Sequence, residues 1–172
     1  MVKETETGIE ITSGTASFVL DKTNGALKSW KANNEEILKG ELEPYFWKPA
    51  NENQRRNGYN NRLGAWRNAA KNRTVKSHKI NIESGLIVVI FEMELPVGAN
   101  YQLKYSFNGA GKIQVEANYS PTNQGIALIP KFGMRMRLPA SMNTVEWYGR
   151  GEFENYPDRK TAAFIGNYKL TL

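Results

Sequence analysis

The sequence predicts an all-β protein, an antiparallel β-sandwich with one short helix, from three observations. Apolar residues recur with a period of two over most of the chain, the mark of strands that lay one face on a core. The alternating runs are short and separated by Gly, Pro and Asn turns, which suits strands joined by hairpins rather than by crossover helices. A chain of 172 residues, 40% of them apolar, fills one packed core, so a single domain over residues 1–172 is expected. A closed barrel satisfies the same pattern.

In chain order, Ala16 to Leu20 leads into Asp21-Lys22-Thr23-Asn24-Gly25, a hairpin signal because Asn and Gly tolerate the positive φ of tight turns, and Ala26 to Trp30 is its return strand. Short apolar patches follow at Ile37-Leu38 and at Tyr45-Phe46-Trp47, the latter closed by Pro49. The period then changes: Leu63, Trp66, Ala69 and Ala70 fall at helical spacing, predicting an amphipathic helix over Arg62 to Lys71. His78 lies on a strand with no acidic partner nearby in sequence and reads as an ordinary surface or edge histidine. In Leu86 to Pro96 the odd positions Ile87, Val89, Phe91, Met93 and Leu95 are apolar while Glu92 and Glu94 mark the solvent side. Tyr101, Leu103, Tyr105 and Phe107 repeat the pattern, as do Ile113, Val115, Ala117 and Tyr119 beyond an Asn108 to Lys112 turn, giving three consecutive antiparallel strands. Phe132, Met134, Met136 and Leu138 alternate with Gly133, Arg135 and Arg137, a further strand with a cationic far face.

Composition excludes much chemistry. With no Cys and one His there is no disulfide framework, no thiolate nucleophile, no Cys-based zinc site and no His-rich metal cluster. No run reaches the ~18 apolar residues of a membrane helix, and Met1 to Thr7 lacks the apolar segment of a signal peptide, which leaves cytoplasm and periplasm both open. Net charge is +6, but residues 48–79 hold nine Lys/Arg against Glu52, a segment of +8 that leaves −2 elsewhere. Clustered cations beside Trp47, Tyr59 and Trp66 permit a nucleic-acid reading. Seven Asn in the same block suit hydroxyl-rich ligands equally, and a solvated basic loop is the plainest reading of all.

Glu152 and Glu154, two apart in an extended segment, place carboxyls on the order of 7 Å apart, near the spacing of glycosidase pairs. Such pairs are common on solvated strand faces, and a structural role is preferred. Tyr156-Pro157-Asp158-Arg159 reads as a turn in which Arg159 pairs with Asp158 or Glu154. Trp47 and Trp66 flank the Asn-rich loop, where an exposed indole can stack on a pyranose face; burial in the core is the plainer expectation for each. Asn72-Arg73-Thr74 and Asn118-Tyr119-Ser120 match the short glycosylation acceptor pattern.

Several segments, taken in order, resemble the C-terminal region, the small-chain domain or domain five, of large bacterial β-galactosidases. Trp147-Tyr148-Gly149-Arg150-Gly151-Glu152-Phe153-Glu154-Asn155-Tyr156-Pro157-Asp158-Arg159 resembles that family's Trp-x-Gly-x-Gly-Pro-x-Glu-Asn-Tyr-x-Asp-Arg signature. Tyr45 to Asn53 is similar to its Phe-Trp-Arg-Ala-Pro-x-Asp-Asn-Asp stretch, and Phe18 to Trp30 resembles its opening hairpin. Glu152 stands where the family commonly has Pro, and Asn51-Glu52-Asn53 replaces Asp-Asn-Asp. Leu172 falls where the family's domain would be unfinished, so the chain is expected to be an excised piece.

The resemblance implies a supersandwich similar to galactose mutarotases, attached to a (β/α)8 barrel that holds the catalytic glutamates and the divalent and monovalent cations; no catalytic residue and no cofactor are expected in this chain. It implies a non-catalytic domain that braces the barrel and shapes the sugar pocket of a retaining enzyme. The loop Asn51 to Tyr59 then lies near the pocket mouth, and Trp47, Asn51, Glu52, Asn53 and Arg55 are the candidate sugar contacts. Glu154, Asn155, Tyr156, Asp158 and Arg159 are expected to be structural. The expected partners are the barrel and other domains of the parent, whether or not that parent is a homo-oligomer, and β-galactosides, with neither nucleic acid nor membrane. Two alternatives stay open: an autonomous carbohydrate-binding module, and a mutarotase-like enzyme with Glu152 or Glu154 as base.

Overall fold

A computed structural model of the chain describes residues 1–153, 155 and 160–172. They form two compact units, residues 1–137 and 138–172.

The first unit is an antiparallel β-sandwich. One sheet contains β1 (Val2–Glu4), β2 (Gly8–Ser13), β3 (Ala16–Asp21), β4 (Leu27–Ala32), β5 (Glu35–Glu36), β6 (Gly40–Pro44) and β11 (Met134–Arg137), in the order β1-β2-β3-β4-β6-β11 with β5 paired to β4. The other contains β7 (Thr74–Glu83), β8 (Leu86–Leu95), β9 (Ala99–Phe107) and β10 (Ile113–Pro121), in the order β10-β9-β8-β7. Two short helices, α1 (Glu52–Arg56) and α2 (Tyr59–Leu63), and a 3-10 turn (Gly64–Arg67) lie between β6 and β7.

Period-two alternation decides which side chains go inside. On β8 and β9 the residues Val89, Phe91, Met93, Leu95, Tyr101, Leu103, Tyr105 and Phe107 are buried, facing Ile9, Ile11, Phe18, Leu20 and Leu27 of the first sheet. Phe18 and Phe107 meet across the core with ring centroids 4.7 Å apart. Full burial of an aromatic or branched side chain contributes about 1.5–3 kcal/mol, so this layer is the main stabilising term of the unit. The two tyrosines of β9 enter the core because their hydroxyls find acceptors there. Tyr105 Oη donates to the Gly25 carbonyl at 2.8 Å, and Tyr101 Oη to Met134 Sδ at 3.7 Å. Gly25 closes the β3–β4 turn at φ +68°, where a side chain would be strained and would meet Phe91 and Met93 at 3.1–3.3 Å.

Polar contacts join the two sheets at their margins. Ser13 Oγ donates to the Asn108 carbonyl. His78 Nε2 on β7 lies 2.9 Å from Glu4 Oε1 on β1, and Lys22 Nζ is 2.8 Å from the same oxygen. The sequence offered no local partner for His78; its partner lies 74 residues away. Arg73 is the most buried charge among the described residues: Nε donates to the Asn24 carbonyl at 2.6 Å, Nη1 to the Ala70 carbonyl at 2.5 Å, and Glu43 lies 3.7 Å away.

Two readings change in detail. The strand expected over 132–138 pairs only as Met134–Arg137, with a register shift between Arg135 and Arg137, and leaves Phe132, Met136 and Leu138 exposed. In the short apolar patches Ile37-Leu38 and Tyr45-Phe46-Trp47, Leu38 and Phe46 drop into the core from irregular backbone. Helix starts ten residues earlier than its apolar spacing indicated, at Glu52 rather than Arg62, and runs in pieces.

The second unit is a hairpin of β12 (Thr144–Arg150) and β13 (Ile165–Thr171), with a 3-10 turn (Lys160–Ala162) before β13. Trp147 and Tyr168 are direct cross-strand neighbours and stack at 5.4 Å.

Candidate functional site

The Asn-rich basic segment is organised by its own caps. Asn51 Oδ1 accepts from the Gln54 backbone N–H at 2.8 Å while Gln54 Oε1 accepts from the Asn51 N–H at 3.1 Å, a reciprocal capping box that starts α1. Gly58, at φ +66°, ends that turn of helix and begins α2. On the inner side Tyr59, Trp66, Ala69, Ala70 and Arg73 are buried. Trp66 Nε1 donates to the Ala127 carbonyl at 2.9 Å, and Tyr59 Oη to the Lys48 carbonyl at 3.0 Å. The helical spacing of Trp66, Ala69 and Ala70 thus marked the correct inward face, while the extent of helix depended on caps.

The candidate sugar contacts fall close together in the chain but in different chemical states. Trp47 is half-buried, its ring 4.8 Å from that of Tyr59 and 5.7 Å from the Arg67 guanidinium carbon. Asn51 is committed to the cap through both its amide oxygen and its backbone. Glu52 in the first turn pairs with Arg56 at 3.4 Å, an exposed i,i+4 contact. Asn53 and Arg55 are exposed on the outer side of α1. Trp66 follows the plainer expectation, being 1% exposed. A separate cleft of about 560 Å³ opens between Tyr119 and residues 121–129, bordered by Gln124, Ile126 and Ile129; no candidate sugar contact lines it.

The signature segment is partly outside the described residues: Glu154, Tyr156, Asp158 and Arg159, and with them the Glu152/Glu154 pair and the turn at Pro157, are not described. Of the rest, Asn155 Nδ2 donates to the Arg150 and Phe153 carbonyls at 3.4 and 3.3 Å. Arg150, which sequence reasoning left without a role, donates through Nη1 to the carbonyls of Lys160 and Ala163, each at 2.8 Å. Trp147 Nε1 donates to the Arg150 carbonyl at 3.1 Å. Gly151 is required by close approach, since a Cβ there would meet the Tyr168 ring at 2.6–2.8 Å. Among the described residues of the signature, Trp147, Arg150 and Asn155 use their side chains to hold backbone, and the glycine-rich spacing around them was the available signal.

Titration is perturbed where charge meets burial. Burial pushes the Tyr105 and Tyr101 phenols above the usual tyrosine range, the Arg73 cation opposing. Burial likewise lowers the Arg73 guanidinium from its ordinary value, against the pull of Glu43. Glu4 is held below the ordinary carboxylate range by hydrogen bonds with Lys22 and then His78. Among the described residues no group of three or more His, Cys, Asp or Glu is placed to hold a metal ion.

The family model described as beta galactosidase small chain matches residues 12–172. Similar proteins include a beta-galactosidase of Priestia megaterium, 29% identical over 171 residues and covering 98% of this chain. Another, of Lactobacillus delbrueckii subsp. bulgaricus, is 31% identical over 154 residues and covers 88% of it. A third, of Streptococcus thermophilus, is 27% identical over 173 residues and covers 99%. The chain spans only 16%, 15% and 17% of the length of these relatives.

Proposed function

Because this chain belongs to the beta galactosidase small chain family, we propose that it is a non-catalytic β-sandwich domain of a large β-galactosidase, bracing the catalytic part and shaping the approach to its sugar pocket. The match over residues 12–172 carries this reading. Glycoside hydrolysis needs two carboxyls flanking the scissile bond, held about 5 Å apart for retention or 6.5–9.5 Å for inversion. In this reading the rest of the enzyme supplies that pair, along with its cations. The sandwich supplies rigidity, and its capped helical segment is the part that faces ligand. Asn53 and Arg55 are the side chains best placed to reach a sugar hydroxyl, since Asn51 and Glu52 are engaged within α1. Trp47, backed by Tyr59, offers an aromatic edge beside them.

The test is kinetic. In the full-length enzyme, replacing Asn53 and Arg55 by Ala should raise KM for a chromogenic β-galactoside about tenfold or less with kcat nearly unchanged, the pattern of lost uniform binding. The isolated chain should not hydrolyse that substrate. Unchanged kinetics in the double variant would remove the sugar-contact role, and hydrolysis by the isolated chain would overturn the non-catalytic reading.

The outward amide and guanidinium of Asn53 and Arg55 also favour a second reading, an autonomous carbohydrate-binding module. Calorimetric titration of the isolated chain with galactose and lactose separates the two, since a module binds sugar without its catalytic partner.

A further inference from the structure

The outer side of the helical segment is strongly cationic. From Asn51 to Asn72 the cations are Arg55, Arg56, Arg62, Arg67 and Lys71, all exposed, against Glu52 alone, a formal charge of +4 in 22 residues. Neutralisation from within the chain is slight: Glu52 meets Arg56 at 3.4 Å, and Arg62 spends its Nε on the Asn57 carbonyl. Arg55 and Lys71 make no ion pair among the described residues. Between them stand exposed amides, Asn53, Asn57, Asn60, Asn61, Asn68 and Asn72.

We propose that this face is an interaction surface for an acidic protein surface, with Arg55, Arg62, Arg67 and Lys71 pairing with carboxylates and the asparagines with backbone and side-chain polar groups around them. Arginine forks match carboxylates bidentately, and complementary potentials at such a patch set orientation and association rate. The alternative polyanion, a nucleic acid, is disfavoured by the aromatic residues of the segment. Tyr59 and Trp66 are buried, and Trp47 is half-buried with Tyr59 and Arg67 against it, so the segment offers no row of open rings on which successive bases could stack. The proposal holds whether or not the same segment touches sugar.

The experiment measures binding of the full 172-residue chain to poly-L-glutamate, with duplex DNA as competitor, at about 20 and 200 mM salt. Two variants are compared with the wild type, Arg55→Glu with Lys71→Glu, and Lys3→Glu with Lys28→Glu on exposed strand positions. Each exchanges two cations for two anions, from +6 to +2, so bulk charge is matched. The expected result is salt-sensitive binding of the wild type that falls about tenfold or more in the first variant and much less in the second. Arg55→Gln with Lys71→Gln should fall in between, which guards against misfolding of the reversed variant. Equal losses in both reversed variants, absence of binding at low salt, or DNA binding tighter than poly-L-glutamate would each overturn the proposal.

Discussion

Replacing Arg73 by Met should destabilise the sandwich by about 2–4 kcal/mol. Arg73 is 7% exposed, and its guanidinium donates to two carbonyls, Asn24 at the tip of the β3–β4 turn and Ala70 at the end of the helical segment. Hydrogen bonds to a charged group contribute about 1.5–3 kcal/mol each, so removing both costs about 3–6 kcal/mol. Part of that returns, because the buried cation carries a desolvation cost and its Nη2 has no hydrogen-bond partner among the described residues. Glu43 is not left unpaired, since Arg135 holds it at 2.8 Å. The net loss corresponds to a fall of roughly 10 °C in Tm for a unit of this size. Urea and thermal unfolding followed by tyrosine and tryptophan fluorescence give the measurement, with Arg73→Lys, which keeps the charge but not the two-pronged reach, expected between Met and wild type. A Met variant within about 0.5 kcal/mol of wild type would refute the reasoning, by showing that Arg73 merely fills space.

Tyr105→Phe leaves the Gly25 carbonyl without its buried donor and should cost about 1–3 kcal/mol in urea unfolding. Spectrophotometric titration should show that the Tyr101 and Tyr105 phenols ionise only when alkali unfolds the sandwich, because burial raises both. For Glu4, whose folded-state pKa is lowered, the stabilisation is fully present above its ordinary value of 4.5 and is lost as pH falls through the depressed folded value. Wild type and Glu4→Gln should therefore differ in stability near neutrality and converge in acid; a constant difference across that range would count against a stabilising role for the Glu4 contacts with Lys22 and His78. Asn51→Ala removes the cap of α1 and should cost about 1 kcal/mol locally, read as faster amide exchange over residues 52–57.

The central strands were legible because their alternation is uninterrupted: the apolar odd positions of 87–95 and 101–107 are those that meet the opposite sheet. Polar alternation hid β13, and β7 was visible only as the surroundings of His78, since neither strand buries a full apolar face. The helical segment was placed too late because apolar spacing reports the side that is buried, whereas Asn51 and Gln54, which set its start, act through backbone groups. Burial of Arg73 and the pairing of His78 with Glu4 were not legible at all. Each depends on residues brought together by tertiary folding, 49 and 74 positions away in sequence. At the candidate site, the sequence located the loop and its charge, while which of its side chains face outward was settled by the caps.

The bond from Trp66 to the Ala127 carbonyl spans 61 residues. It makes a locally hydrogen-bonded segment wait on distant chain: the helical turns can form early, but their indole anchor has no acceptor until the strands from β7 to β10 are paired and residue 127 has arrived. Contacts of such long loop closure come late in assembly. Hydrogen exchange pulsed during refolding would then protect β8 and β9 before Trp66, and the cationic face would acquire its final contour only after the sandwich beneath it had closed.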